Sequence, residues 1–514
     1  MIDYLLVPIA AIYFFVIGLL FIYGINFFYM TSVTMMHKTS ESKPAQVEDW
    51  PSVTVQLPIY NELYVAERLI EAAARLEYPR HLLEIQVLDD STDATVELVS
   101  KTVNRLCSRG VRITHLRRNH RTGYKAGALA EGFKKARGEY LAIFDADFLP
   151  RPDFLIQTLP YLVNASNHGS QPTAFLQTRW SHLNRDYSIL TLLQSLSIDA
   201  HFKVEQFARH ASGFWFNFNG TAGIWRQQAI LDAGGWKTDT LTEDLDISYR
   251  AFLKGWKAIY LDGIDVPAEL PMSFTAYRRQ QHRWARGSFE CALKLLPQVW
   301  DAPEPFVKKL AATLHLTGYA VHLLLFTLSL LYPLILLVSQ QYPMLISLFG
   351  ITSLFNLTAF APSFLNIVSQ QRIGRPWWRM LPAILFMSVL GTGMMANTLR
   401  AAVHVLLNRS GVFERTPKFG ISARGQDWKR RKYQIGLDPL VFVEIGLALV
   451  NSATVLLAIS MGNYVIAAYA ALFFTGLCFT SGFTIKQTLS IYRKKSIQKR
   501  VQAGGSQSPA TRAK

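Results

Sequence analysis

Four short stretches of this chain gather the side chains that could do chemistry. In "FDADF", Asp145 and Asp147 stand two apart at what reads as a strand end, a spacing that lets one or both reach a hard divalent cation, Mg2+ or Mn2+. Taken alone, the pair is equally well explained as turn or cap chemistry. "VLDDSTDAT" puts Asp89 and Asp90 at a second strand end, where a carboxylate can accept hydrogen bonds from a ribose or a base edge. Ser91, Thr92 and Asp93 also suit the start of the helix that follows. In "TLTEDLDISYRAFLKGW", Glu243, Asp244 and Asp246 open a helix, where negative side chains are favoured by about 0.3–1 kcal/mol; a carboxylate clustered with other acids near a cation can also act as a general base. Last, "RRQQHRWARG" sets Gln280 and Arg283 on one helical face with Trp284 beside them, a planar fork for phosphate and an aromatic face for a sugar. Arginine and tryptophan at the head of an apolar region also anchor helices at the headgroup layer.

The elements that would hold these stretches follow a repeating pattern. "SVTVQLPIYNE", "LEIQVLDDSTD", "VRITHLRR" and "YLAIFDADF" are short apolar β-rich runs, and amphipathic stretches such as "LYVAERLIEAAARLEYP" and "KAGALAEGFKKARGE" separate them. That order predicts a mostly parallel sheet with helices on its faces, whose ligands bind beyond the carboxyl ends of the strands. Asn61 and Glu62, Asp89 and Asp90, and Asp145 and Asp147 all fall at such ends.

The rest of the chain is of another kind. It has 514 residues, half of them hydrophobic, too long and too apolar for one ordinary soluble domain. Apolar runs occupy 5–29, 316–339, 344–368, 380–407, 440–459 and 464–485, which predicts a membrane helix at 1–37, a cytoplasmic domain at 38–306, a membrane bundle at 307–490 and a basic, disordered tail at 491–514. The basic loops on either side of 380–407 both favour the cytoplasm, so that segment is expected to lie at the interface or re-enter, with five true spans around it. The net charge of +17 tracks these boundaries, as at Lys429, Arg430, Arg431 and Lys432; this is juxtamembrane anchoring against membrane lipid rather than a nucleic-acid surface. Cys107, Cys291 and Cys478 match no metal or disulfide spacing.

Taken in order, "LPIYNE", "DDSTD", "YKAGALA", "FDADF", "FNGTAGIWR", "LTEDLD" and "QQHRW", then membrane helices and "FERTPK", resemble the processive family 2 glycosyltransferases of the cellulose synthase type. "FNGTAGIWR", "AGGWK", "FLKGWKAIYLD" and "ELPMSFTAYRRQQHRW" resemble the cellulose synthase-like A and C proteins, which make mannan, glucomannan or β-1,4-glucan backbones. The resemblance covers residues 53 to 418 and implies an α/β fold of the GT-A, nucleotide-sugar-binding type beside an α-helical membrane bundle.

The resemblance also implies roles. Asp89, Asp90 and Lys125 would contact the nucleotide, with Pro58, Tyr60, Glu62, Gly220 and Thr221 completing the substrate site, and Asp145 and Asp147 would hold a divalent metal on the diphosphate. Asp244, beside Glu243, would be the base; Arg283 would face the leaving group, and Gln280 and Trp284 would line the acceptor end. Thr416 and Lys418 match a gating loop at 408–437, with Arg415 where the cellulose synthases prefer valine. The implied activity is inverting transfer of hexose from UDP-glucose or GDP-mannose to a growing β-glycan, with passage of the polymer through the membrane past residues such as His315, Tyr319, His322, Asn356 and Trp377. A single addition to a lipid acceptor is the alternative, and a scaffold or transporter with a degenerate domain is a third. The expected setting is a plasma, inner or Golgi membrane; accessory subunits are left open.

Overall fold

The computed structural model describes residues 2–37, 47–167, 172–341, 353–409, 411, 414–421 and 425–504. Seven strands form one sheet: β1 (Val53–Ile59), β2 (Leu83–Asp89), β3 (Ile113–Arg117), β4 (Tyr140–Ile143), β5 (Thr173–His182), β6 (Gly223–Arg226) and β7 (Lys257–Ala268). Their order is β3-β2-β1-β4-β6-β5-β7, and β6 alone runs antiparallel to both neighbours. This is the α/β class that the sequence predicts. β1 reads VTVQLPI and is buried almost throughout, because helices cover both faces of the sheet. The helix Ala66–Ala74 turns Ala66, Leu69, Ile70 and Ala73 inward, the one-sided stripe of a helix laid on a sheet.

The chain leaves β1 for β2 and β3 on one side and returns to β4 on the other. The loops after β1 and β4 therefore diverge and open a crevice at their carboxyl ends. Two helices close it: Glu243–Leu253, and the 28-residue Phe274–Asp301, which begins where the Ser273 hydroxyl accepts from the Ala276 amide at 3.2 Å.

Among the described residues, five helices are long and apolar enough to cross a membrane: Val7–Met36, Ala320–Leu337, Trp377–Leu406, Leu440–Ser460 and Tyr464–Arg493. Of the run expected at 344–368, residues 344–352 lie outside the described residues; the remainder is a 3-10 turn, Ser353–Phe360, followed by the helix Ala361–Arg372. Phe413 of the expected gating segment and the tail beyond 504 also lie outside the described residues, as does the side chain of Asn356.

The segment 380–407 belongs to a helix broken at Met394. Its first part, Trp377–Gly393, packs on Tyr464–Gly504, and the two backbones meet so closely at Gly393 and Gly476 that a Cβ at Gly393 would sit 2.5 Å from the Gly476 carbonyl oxygen. The second part, Met395–Leu406, lies along Phe274–Asp301, and Asn397 Nδ2 donates to the Arg278 carbonyl at 3.1 Å. Of the polar residues expected along a path, His315 Nδ1 lies 2.8 Å from the Tyr249 hydroxyl and Tyr319 donates to Gln281 Oε1 at 3.3 Å, so both contact the two helices that close the crevice.

Arg278 fastens the α/β domain to the last two spans. It is fully buried, and its Nη2 reaches both oxygens of Glu444 at 2.8 and 2.9 Å and Thr484 Oγ1 at 3.3 Å. Removing one partner of such a pair strands a charge, whereas replacing both with apolar groups is close to neutral. Arg278→Leu is expected to destabilise the chain by roughly 3–5 kcal/mol and Arg278→Leu/Glu444→Leu to recover most of that loss. Denaturation midpoints of the single and double variants in one detergent check it.

Candidate active site

The crevice at the ends of β1 and β4 is a cavity of about 1290 Å³, its open mouth included. Around it stand Pro58, Tyr60 and Glu62 after β1, Asp90 after β2, Asp145 and Asp147 after β4, Gly220, Glu243 and Asp244, Gln280, Arg283 and Trp284 from the long helix, and Thr416 and Lys418. Residues spread over 360 positions of chain thus share one space. Two of the expected residues do not line it. Asp89 turns inward, where its carboxylate accepts from the Ser91 amide at 2.8 Å and pairs with His115 at 2.9 Å; burial works against its charge, but these bonds hold its pKa below the usual carboxylate range. Thr221 stands behind Asp145, its hydroxyl accepting from the Asp145 amide at 2.9 Å. Asp246 also faces away, bound to Arg250 at 2.7 Å and Lys294 at 2.6 Å, so of the three acids that open its helix only Glu243 and Asp244 face the cavity.

Lys125 joins the two halves of the site. Its ammonium lies 2.6 Å from Asp145 Oδ1 and 3.7 Å from Glu243 Oε1 and donates to the Gly220 carbonyl at 2.8 Å. Burial disfavours that charge, yet Asp145 and Glu243 outweigh it and the lysine's pKa is raised. Gly220 sits at φ +81°, and a Cβ there would lie 3.0 Å from Asp244 Oδ2 and 3.2 Å from the ammonium, so the turn takes glycine both for its backbone and for the room.

Asp244 is the most perturbed acid of the group. Burial first, and then the charge of Glu243, push its pKa up to about 7, with Lys125 pulling the other way. Burial also raises Asp145. Arg283 is partly desolvated, which lowers its pKa, and the carboxylates that oppose this are Glu243, Asp145, Asp244 and Asp147. One guanidinium therefore feels all four acids at once.

A loop closes the cavity from the side. Arg415 donates to both oxygens of Glu62 at 2.9 and 2.8 Å and lies 4.3 Å from the Tyr433 ring centroid. Lys418 reaches Asp147 Oδ2 at 2.6 Å. Glu269, just past β7 and fully buried, accepts from the amides of Phe419 at 2.7 Å and Ile421 at 3.2 Å while pairing with Arg68 at 2.9 Å. Burial raises Glu62 to about 7 even though Arg415 opposes it.

Glu269, Arg118 and His182 are site residues that sequence reasoning missed. Glu269 carried a usable signal, an acid at a strand end, but β7 was not among the strands read from the sequence. Arg118 grips both oxygens of Asp90, at 2.9 Å through Nε, and nothing in its local pattern marks it. Among the described residues no group of three or more His, Cys, Asp or Glu is arranged to hold a metal. The Asp145 and Asp147 pair nonetheless suits Mg2+ or Mn2+, which take one or two carboxylates and complete their shell with water and substrate phosphate.

A model of glycosyltransferases, described as "Glycosyltransferase like family 2", matches residues 51–287. Glucomannan 4-beta-mannosyltransferase 7 of Arabidopsis thaliana is 40% identical over 315 residues, 57% of this chain and 56% of that protein. Glucomannan 4-beta-mannosyltransferase 9 of the same plant is 48% identical over 242 residues, 46% of this chain and 44% of that one. The chain thus spans about half the length of the curated relatives it matches. Among solved structures, mannosyltransferase PcManGT from Pyrobaculum calidifontis in complex with GDP-Man and Mn2+ aligns at 19% identity with a TM-score of 0.47, over 80% of this chain and 100% of that one.

Lys125→Met removes the cation that pulls Asp244 down. Its ionisation is expected to move above its value of about 7 by roughly one unit or more. Infrared difference spectra of the protonated carboxyl band across a pH series, with Asp244→Asn to assign the band, read the shift.

Proposed function

From the match of residues 51–287 to a family 2 glycosyltransferase model we propose that the chain transfers a hexose, mannose first among the candidates, from a nucleoside-diphosphate sugar to the end of a growing β-glycan with inversion at the anomeric carbon. One observation carries the reading: Asp244, its pKa raised to about 7, shares a cavity with Arg283, Lys125 and the Asp145 and Asp147 pair. A general base works best with a pKa near the working pH. The relatives, named as glucomannan 4-beta-mannosyltransferases, support a mannosyl donor; of the two donors that the sequence resemblance implies, GDP-mannose is therefore the one to try first and UDP-glucose the second.

In this reading Asp244 takes the proton of an acceptor hydroxyl as its oxygen attacks the anomeric carbon. The bond from that carbon to the phosphate oxygen breaks, and the electron pair leaves with the nucleoside diphosphate. Arg283 and Lys125 meet the charge that gathers on the leaving group, and they are positioned before the reaction begins, so little reorganisation is needed. A divalent cation held by Asp145 and Asp147 would supply further neutralisation of the diphosphate. Arg118 fixes Asp90 at the cavity edge, where its carboxylate can receive nucleoside hydroxyls. The loop from Arg415 to Ile421 shuts water out by gripping Glu62, Asp147 and Glu269. The five apolar helices among the described residues support a multi-pass membrane enzyme; in this reading the α/β domain faces the cytoplasm and the polymer leaves along Phe274–Asp301 into the bundle.

Membranes carrying the chain, incubated with labelled GDP-mannose or UDP-glucose, are expected to yield material that lengthens with donor supply and yields to a mannan or glucan hydrolase. A single lipid-extractable glycolipid would replace the polymer reading. Asp244→Asn is expected to lower kcat by about 10²–10⁴ while leaving nucleoside-diphosphate affinity near its starting value. Because Asp244 must be ionised, kcat/KM rises with pH through about 7. Turnover unaffected by Asp244→Asn, or a flat profile there, removes Asp244 as the base.

A further inference from the structure

Part of the cavity lining is not used by the reaction above. At the end of β5, three strands along the sheet from β1, Trp180 and His182 line it together with Ile198, Leu270, Pro271 and Trp284. The lining here is apolar and aromatic apart from the imidazole of His182 and the indole N–H groups, of which that of Trp180 is buried and has no hydrogen-bond partner among the described residues. His182 pairs in register with Ala268 of β7, and its side chain is 2% exposed. Its Nε2 lies 3.2 Å from Asp199 Oδ1, and Asp199 is itself fixed, its other oxygen accepting from Arg375 at 2.7 Å and from Gln370 at 3.3 Å. A carboxylate accepts only, so the proton of a neutral imidazole stays on Nε2 and Nδ1 carries a lone pair.

That Nδ1 is buried and has no hydrogen-bond partner among the described residues. An acceptor stranded away from water costs about 1–3 kcal/mol, and a ligand that supplies a donor removes the penalty. A mostly apolar wall with a few placed polar groups is how pockets orient such ligands. A hexose presents both complements: apolar C–H faces and hydroxyl donors.

We propose that His182 is a specificity-determining residue for the glycan acceptor, its Nδ1 accepting a hydrogen bond from a hydroxyl of the acceptor sugar, with Asp199 as the positioning residue that fixes the tautomer. The proposal rests on the glycosyl-transfer reading and places its acceptor at the β5 and β7 end of the cavity, away from the β1 and β2 ends where the nucleotide is received. Arg375 precedes the helix Trp377–Gly393, so the acceptor contact is anchored from the membrane bundle through Asp199.

The test uses the full chain in detergent, with β-1,4-linked mannohexaose and a nucleoside diphosphate titrated separately by calorimetry. His182→Phe keeps the ring but removes the acceptor, and is expected to weaken the hexasaccharide at least tenfold. His182→Asn offers a carbonyl oxygen near the same place and is expected to stay within about threefold of the unsubstituted chain. Nucleoside-diphosphate affinity is expected to be unchanged in both, which a damaged fold would not allow. Equal hexasaccharide binding by His182→Phe, parallel loss of both ligands, or no hexasaccharide binding by the unsubstituted chain would each overturn the proposal. Hexasaccharide binding that depends on His182, without transfer from any nucleotide sugar, would uphold it while the reaction proposed above fails.

Discussion

Repulsion among four carboxylates in one cavity is the constraint that the rest of the structure answers. Glu243, Asp244, Asp145 and Asp147 come from two unrelated elements, a helix start and a strand end, and left alone they would drive those elements apart or take up protons. Lys125 stands between the two pairs, 2.6 Å from Asp145 and 3.7 Å from Glu243, while Arg283 faces all four and Lys418 takes Asp147. Each cation rides on a different piece of chain: a helix on the sheet, the long helix shared with the bundle, and the covering loop. Holding the acids together therefore requires that these three pieces be docked. The charge that remains unsettled falls on Asp244, where burial keeps the proton bound up to about pH 7.

Much of this could be read before any coordinates. Alternating runs of short apolar strands and amphipathic helices indicated the class of the sheet, and the rule that ligands gather at strand ends singled out Asn61, Glu62, Asp89, Asp90, Asp145 and Asp147, of which Glu62, Asp90, Asp145 and Asp147 line the cavity. Local pattern fails where the deciding fact is which way a side chain turns. Asp89 and Asp90 are adjacent and alike in sequence, yet strand alternation sends one inward to His115 and the other to the cavity, gripped by Arg118. Asp246 was separated from Asp244 in the same way, by the rotation of a helix. Partnerships over long stretches of chain were invisible for a plainer reason. Arg415 and Glu62 are 353 positions apart, and Glu269 meets Phe419 and Ile421 through backbone amides, which carry no residue signature at all.

The broken helix between Trp377 and Leu406 shows how hydropathy can be right about composition and silent about shape. By length and apolarity it counts as one crossing element, but the interruption at Met394 divides its allegiance. One part belongs to the bundle, seated where Gly393 and Gly476 let two backbones touch; the other lies along Phe274–Asp301 and gives Arg400 to Asp438 at 3.0 Å. The basic loops at its two ends drew attention to the segment, since a plain crossing would have separated them.

The buried contact of Arg278 with Glu444 and Thr484 also bears on the order in which the protein is made. Ribosomes deliver Arg278 166 residues before Glu444, so for about a third of the chain's synthesis the long helix carries a charge without that counterion. The cavity wall built on that helix can settle only once the final hairpin of apolar helices has been inserted and folded back. Premature termination or proteolytic clipping ahead of that hairpin would leave the upstream domain synthesised in full but its pocket unfinished, so a shortened product would be expected to lack a working pocket even though it retains every residue that lines the sheet.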